Sequence, residues 1–214
     1  MNKNDVLIVL GTAHRKREPG KCSPDGRLRE YRYSREVCAD VAAKLRSYGY
    51  KCEIDYMPDD LEKNMQSSNY KTERNRELSM RVNYVNELCR QHGSHNVLYV
   101  SIHVNAAGSN GQWNSANGWQ VCVGSNSSGN SKLLASCLFD AASSHGLKMR
   151  QPSALQKYWS QSLYVLNNTK CPAVLTENLF QDNKKDVDYL LSEEGLHAIE
   201  RLHVEGIIKY IEKG

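Results

Sequence analysis

No apolar run in this 214-residue chain approaches the ~20 residues needed to span a bilayer. The first residues, Met-Asn-Lys-Asn-Asp, lead directly into a short apolar strand. They lack the apolar stretch of about 7–15 residues that marks a secretory leader. Internal repeats are missing, and so is any linker long enough to separate domains, so a single domain over 1–214 is expected. An excess of charge of one sign is also missing: 28 basic and 24 acidic residues leave a formal net charge of +4. A pI near 8.6 suits an anionic polymer but is too mild to argue for nucleic acid. The one basic cluster, Arg15-Lys16-Arg17, has no interleaved aromatics and reads as a solvated loop. Paired cysteines are lacking as well. There are seven, an odd number, and most sit in apolar runs, which points to free, buried thiols made in a reducing compartment. Cys89-x-x-His92-x-x-His95 has no second ligand pair at zinc spacing and reads as a helix end followed by a Gly-Ser loop.

What is present is a soluble globular composition, 40% apolar and 24% charged. A chain of this size buries roughly 70% of its unfolded surface. Its pattern alternates. Val6-Leu7-Ile8-Val9-Leu10 is a continuous branched run, as in a strand buried on both faces. Ser34 offers an N-cap, after which Val37, Val41, Leu45 and Tyr48 recur at helical spacing until Gly49. A weaker strand over Cys52–Met57 precedes an irregular polar segment, 57–72, read as an insertion able to overhang a site. Helix is predicted over Glu73–Gln91 and Ser131–His145, and over Asp186–Glu212 with a break near Gly195. Strands are predicted over Val97–His103, Trp119–Val123, Leu163–Leu166 and Ala173–Thr176, with surface loops over Asn105–Asn117 and Gly124–Ser131. Alternating strands and helices imply an α/β domain around one mixed, mostly parallel sheet.

Open α/β sheets bind ligands at the carboxyl ends of their strands. There the sequence places His14 after the first strand, His103 at the end of Val97–Ile102, and Glu177 after Ala173–Thr176. Glu36, in the first turn of the helix that leaves the same sheet edge, completes the set. Two imidazoles and a carboxylate are a catalytic zinc's ligands, with a fourth position left for water. A further carboxylate, Glu177, then serves as proton carrier. Taken singly, each histidine is more often a hydrogen-bonded loop residue, Glu36 a helix-dipole residue and Glu177 a partner for a lysine. Strand order, which decides between these, is not visible in the sequence.

At these residues the chain resembles the zinc-dependent N-acetylmuramoyl-L-alanine amidases of the type-3 family. Val100-Ser-Ile-His-Val-Asn-Ala106 is similar to the family's Ser-Ile-His-x-Asn-Ala block. Ser162-Leu-Tyr-Val-Leu166 with Pro172-Ala-Val-Leu-Thr-Glu-Asn-Leu-Phe180 is similar to its ending, and Asp182, Asn183 and Asp186 echo the polar turn beyond. Arg81 and Asn83 resemble another family feature. The likeness runs from Val6 to the C-terminus. It implies that His14, Glu36 and His103 bind zinc and that Glu177 is catalytic. It further implies a sheet of about six strands, as in zinc carboxypeptidase-like folds, and cleavage of the amide joining N-acetylmuramic acid to L-alanine in peptidoglycan. One departure stands out. The family usually places glycine before the first histidine and a Gly-Gly pair after it, whereas this chain has Ala13 and then Arg15-Lys16-Arg17.

Further expectations concern assembly, localisation and substrate contacts. The chain is expected to be a monomer that acts at the cell wall or periplasm, without a separate wall-binding domain. Its export is expected through phage-type release or a leader already removed. Asn105 and Arg150 are candidate substrate contacts. Trp113, Trp119, Tyr158 and Trp159 are candidates for stacking on sugars, or else core. A zinc peptidase cutting within stem peptides and a non-catalytic wall-binding domain are the competing readings.

Overall fold

The computed structural model describes residues 2–16, 18–55, 59 and 61–213. Six strands form one sheet in the order β2-β1-β3-β6-β4-β5. They are β1 (Leu7–Thr12), β2 (Lys51–Asp55), β3 (Val97–Asn105), β4 (Gln120–Gly124), β5 (Trp159–Gln161) and β6 (Ala173–Phe180). β2, β1, β3 and β6 run parallel. β4 lies antiparallel to β6, with the short β5 parallel beside β4. The expected mixed, mostly parallel α/β sheet is therefore present. β1 is buried along its whole length, as its unbroken apolar run requires.

Alternation along the strands divides the core in two. Ile8, Leu10, Leu98, Val100, Ile102 and Val174 face α1 (Glu30–Ser47), α3 (Gly129–Ser144) and α6 (Glu193–Lys213). Leu7, Val9, Val97, Tyr99, Ala173 and Leu175 face α2 (Tyr70–His92) and α4 (Tyr164–Asn168). Side chains two apart share a face, so Tyr99, Ser101 and His103 line up on the α2/α4 side, as do Leu175 and Glu177. α5 (Lys184–Leu190) links β6 to α6.

Three elements depart from the reading of the sequence. The first helix begins at Glu30, a turn before Ser34. Ser34 caps nothing; its hydroxyl accepts from Ala13 N at 2.8 Å and donates to Ile102 O at 2.6 Å, pinning α1 to the ends of β1 and β3. Leu163–Leu166 forms no strand: it enters the short helix α4, which buries Val165 and Leu166, and the strand lies earlier, over Trp159–Gln161. A short apolar run fits a buried helical turn as well as a strand, and tertiary burial decides between them. The final helical stretch breaks at Leu191 and Ser192 rather than at Gly195. Gly195 sits inside α6 because a Cβ there would come within 1.9 Å of Tyr189 O.

Of the expected insertion, 57–72, residues 57, 58 and 60 lie outside the described residues. Leu61 is buried, a 3-10 turn covers Lys63–Met65, and Arg76 holds the carbonyls of Met65 and Gln66. Asn69 caps α2 by accepting from Lys71 N and Thr72 N. Residues 61–69 thus lie along α2, and none of them lines the cleft at the carboxyl edge of the sheet. The seven cysteines are free, and all but Cys22 are buried.

Candidate metal centre and its cleft

The carboxyl ends of β1, β3 and β6 open into a cleft on the α2/α4 side of the sheet. His14, Glu30, His103 and Glu177 line it, with Lys21 and Arg74. His103 and Glu177 are register partners on adjacent parallel strands, so they stand side by side. His14 follows β1 in a left-handed backbone conformation, φ +49°, that side-chain-bearing residues seldom adopt. One ligand atom each from His14, Glu30 and His103 lies within 4.8 Å of the others.

Glu30, not Glu36, is the carboxylate of this cluster. It opens α1, where its backbone N–H donates to Lys21 O at 3.0 Å. Its Oε1 accepts from Val104 N at 3.1 Å and lies 3.0 Å from His103 Nδ1, and its Oε2 lies 3.3 Å from His14 Nε2. Glu36 is exposed and outside the cluster. The correction follows from the helix start. Placing the N-cap at Ser34 puts Glu36 in the first turn, but the N-cap is Arg29, five residues earlier, so Glu30 lies in the first turn instead. Six residues on, at about 3.6 residues per turn, Glu36 stands on another side of α1. The signal that pointed to Glu30 was weak: an acidic residue before an arginine-rich turn, without a hydroxyl cap.

Three buried polar atoms at this place make no hydrogen bond: His14 Nε2 and Glu30 Oε2, which face each other at 3.3 Å, and Glu177 Oε2. Unpartnered buried polar atoms are costly and call for a ligand. Two imidazole nitrogens and a carboxylate oxygen facing one point are the donor set of a divalent cation. Second partners orient both rings. His14 Nδ1 lies 3.3 Å from Glu18 Oε2, and His103 Nε2 lies 3.1 Å from Ser101 Oγ.

The charges in the cluster are strongly coupled. Burial opposes protonation of His14, yet the Glu30 charge and the Glu18 bond outweigh it and raise its pKa to about 9. Burial would raise the Glu30 carboxyl, but His14 and His103 hold it well below the usual range. Burial lowers His103 to about 4 against the pull of Glu30. Burial first, and the Glu30 charge second, push Glu177 up to about 8.

Among the other candidates, Asn105 ends β3 at the cleft wall, where its side-chain oxygen accepts from Ala106 N at 2.8 Å. Arg150 does not line the cleft; it donates to Gln120 Oε1 at 3.2 Å, and its guanidinium lies over the Phe180 ring. These contacts place Arg150 at the β4–β6 side of the sheet. Trp119 is core, 0% exposed, and donates to Asn178 Oδ1. Trp113 is exposed, while Tyr158 and Trp159 are half-buried. Reasoning from sequence missed Glu18, Ser101 and Tyr164, all three on the cleft wall. Ser101, two residues before His103 on the same face of β3, was findable from strand alternation.

A family model described as N-acetylmuramoyl-L-alanine amidase matches residues 8–209. The chain belongs to that family. It is similar to an endolysin of Bacillus phage SPP1, with 32% identity over 114 residues, which cover 53% of this chain and 40% of the endolysin. The matched stretch thus spans less than half the length of that curated relative. Among solved structures, the CwlD amidase of Clostridioides difficile superposes with a TM-score of 0.78 at 21% identity, covering 98% of this chain and 100% of that one. The amidase Ami1 of Mycobacterium smegmatis superposes with a TM-score of 0.78 at 18% identity, covering 100% of both. At these identities the likeness is one of fold.

Proposed function

We propose that this chain is a zinc-dependent N-acetylmuramoyl-L-alanine amidase. It would hydrolyse the amide between the lactyl group of N-acetylmuramic acid and L-alanine of the stem peptide at the bacterial cell wall. The observation that carries this reading is the cluster of His14, Glu30 and His103, with one ligand atom each within 4.8 Å of the others, beside the buried Glu177 at the same sheet edge. Family membership and the similarity to an endolysin support the substrate.

His14, Glu30 and His103 would hold the zinc. When bound, the ion supplies Lewis acidity, bringing the pKa of water toward neutral and polarising a carbonyl. Glu177, beside His103 in the sheet, does the proton work. Its free Oε2 takes a proton from the attacking water and returns it to the departing amine of L-alanine, leaving a lactyl carboxylate and a free amino terminus. The raised affinity of Glu177 for a proton suits the return step. A cation beside it favours the ionised form required for the first step. Family-wide ligand expectations placed Glu36 in the metal set; Glu30 takes that role in this reading.

The test is product analysis. Purified peptidoglycan incubated with zinc-loaded wild type is expected to release stem peptides with N-terminal L-alanine, read by mass spectrometry. Glu177→Ala is expected to slow release by about 10²–10⁴-fold, the usual contribution of a positioned proton carrier. Cuts between amino acids, or undiminished release by Glu177→Ala, would contradict the reading.

A further inference from the structure

We propose that Glu18 and Tyr70 form a positioning pair that sets the tautomer and ring orientation of His14 for metal binding. The inference rests on the zinc reading of the site and adds how this chain holds its first ligand.

The segment after His14 divides by direction. His14 turns its ring toward the cleft. Arg15 turns the other way and is buried between two carboxylates of α2, with Nε donating to Glu77 Oε2 at 3.0 Å and Nη1 to Glu73 Oε2 at 3.1 Å. Glu18 lies back at the cleft wall, its N–H donating to Arg15 O at 3.2 Å. The Glu18 side chain is only 2% exposed and sets Oε2 3.3 Å from His14 Nδ1. Its other oxygen, Oε1, accepts from the Tyr70 hydroxyl, and Tyr70 is the first residue of α2. Tyr70, Glu18, His14 and the metal point therefore form one chain, anchored on the helix that Arg15 also grips.

The chemistry gives this chain its sense. An ionised carboxylate only accepts hydrogen bonds. Facing Glu18, His14 Nδ1 must carry the proton. In the neutral ring that a cation requires, the other nitrogen then keeps its lone pair, and that nitrogen is Nε2, which faces Glu30 Oε2 at 3.3 Å inside the cluster. A carboxylate behind a ligating histidine fixes the ring and raises its basicity, and losing such a partner commonly costs about 10–100-fold in metal affinity. His14 gains more from this than an average ligand, because its left-handed backbone is otherwise unfavourable.

The experiment measures zinc affinity by competition with a chelating chromophore. Wild type is compared with Glu18→Ala, Glu18→Gln and Tyr70→Phe, and circular dichroism of each metal-free protein serves as a fold control. Glu18→Ala is expected to lose about 10–100-fold in zinc affinity. Glu18→Gln should fall between it and wild type, since an amide oxygen still accepts from Nδ1–H. Tyr70→Phe should lose a few-fold at unchanged stoichiometry. This graded order is what a merely structural role would not produce. Affinities within twofold of wild type for folded Glu18→Ala would overturn the proposal. Should Glu18→Ala not fold, wild-type affinity in Tyr70→Phe would overturn it instead. Failure of wild type itself to take up zinc would refute the metal reading together with this one, whereas normal uptake by every variant refutes only this one.

Discussion

A single glutamate completes the His–Glu–His cluster of the cleft, and its neighbours show why position outweighs residue type. Glu30 and Glu36 both lie in the first two turns of α1, yet only Glu30 is buried between His14 and His103. Glu30→Ala is therefore expected to abolish stoichiometric zinc binding, while Glu36→Ala leaves it unchanged. Metal content of the purified variants checks this, and loss of zinc from Glu36→Ala alone would reverse the assignment. Of the residues named from sequence, His14, His103 and Glu177 were legible because each directly ends or follows an apolar strand. Glu30 was not, because its burial arises from the backbone bond to Lys21 O and from the Cys22–Arg29 bridge, contacts between segments.

At the scale of elements, the sheet and its helices were largely legible, since apolar period reports which face is buried. Besides the earlier start of α1, the exceptions are α4 and the break before α6, short segments whose state depends on the neighbours they meet. Close helix packing is one such contact. Gly206 of α6 faces α3, where an added Cβ would lie 2.8 Å from Leu138 Cα and Cδ2. α3 and α6 cover the same face of the sheet, so neither can withdraw without opening the core. Gly206→Ala is expected to destabilise the protein by about 1–3 kcal/mol, the usual cost of overpacking. Urea denaturation should show a lower midpoint at unchanged slope. The small helix-propensity gain of alanine works the other way and is outweighed.

For the whole molecule, the buried cluster links stability to pH. The Glu177 carboxyl is raised from 4.5 to about 8 in the folded protein, first by burial and then by Glu30. Below the unfolded value both states hold the proton. Between the two values only the folded state does, so the Glu177 contribution to stability is lost as pH rises. In metal-free protein, Glu177→Gln should match wild type near pH 5 and melt at a higher temperature near pH 8. Because His14 and His103 titrate in both proteins, the difference between the two melting curves is the quantity to follow. A gap that does not widen with pH would show that Glu177 is not held neutral. Adding zinc is expected to raise the melting temperature, increasingly with free zinc concentration, as for any ligand that binds only the native state.

Local order was determined by the sequence alone. Apolar runs marked β1 and β3, glycines marked helix ends, and the residues at strand ends marked the chemistry. Such features depend on neighbours along the chain, and each backbone conformation has its own period and punctuation. The tertiary structure decided what distant segments share: the strand order that brings His14, His103 and Glu177 to one edge, the earlier start of α1 that substitutes Glu30 for Glu36, and the reach of Glu18 and Tyr70 to the first histidine. These depend on which surfaces exclude water together, a property of the packed chain that no single stretch of residues carries.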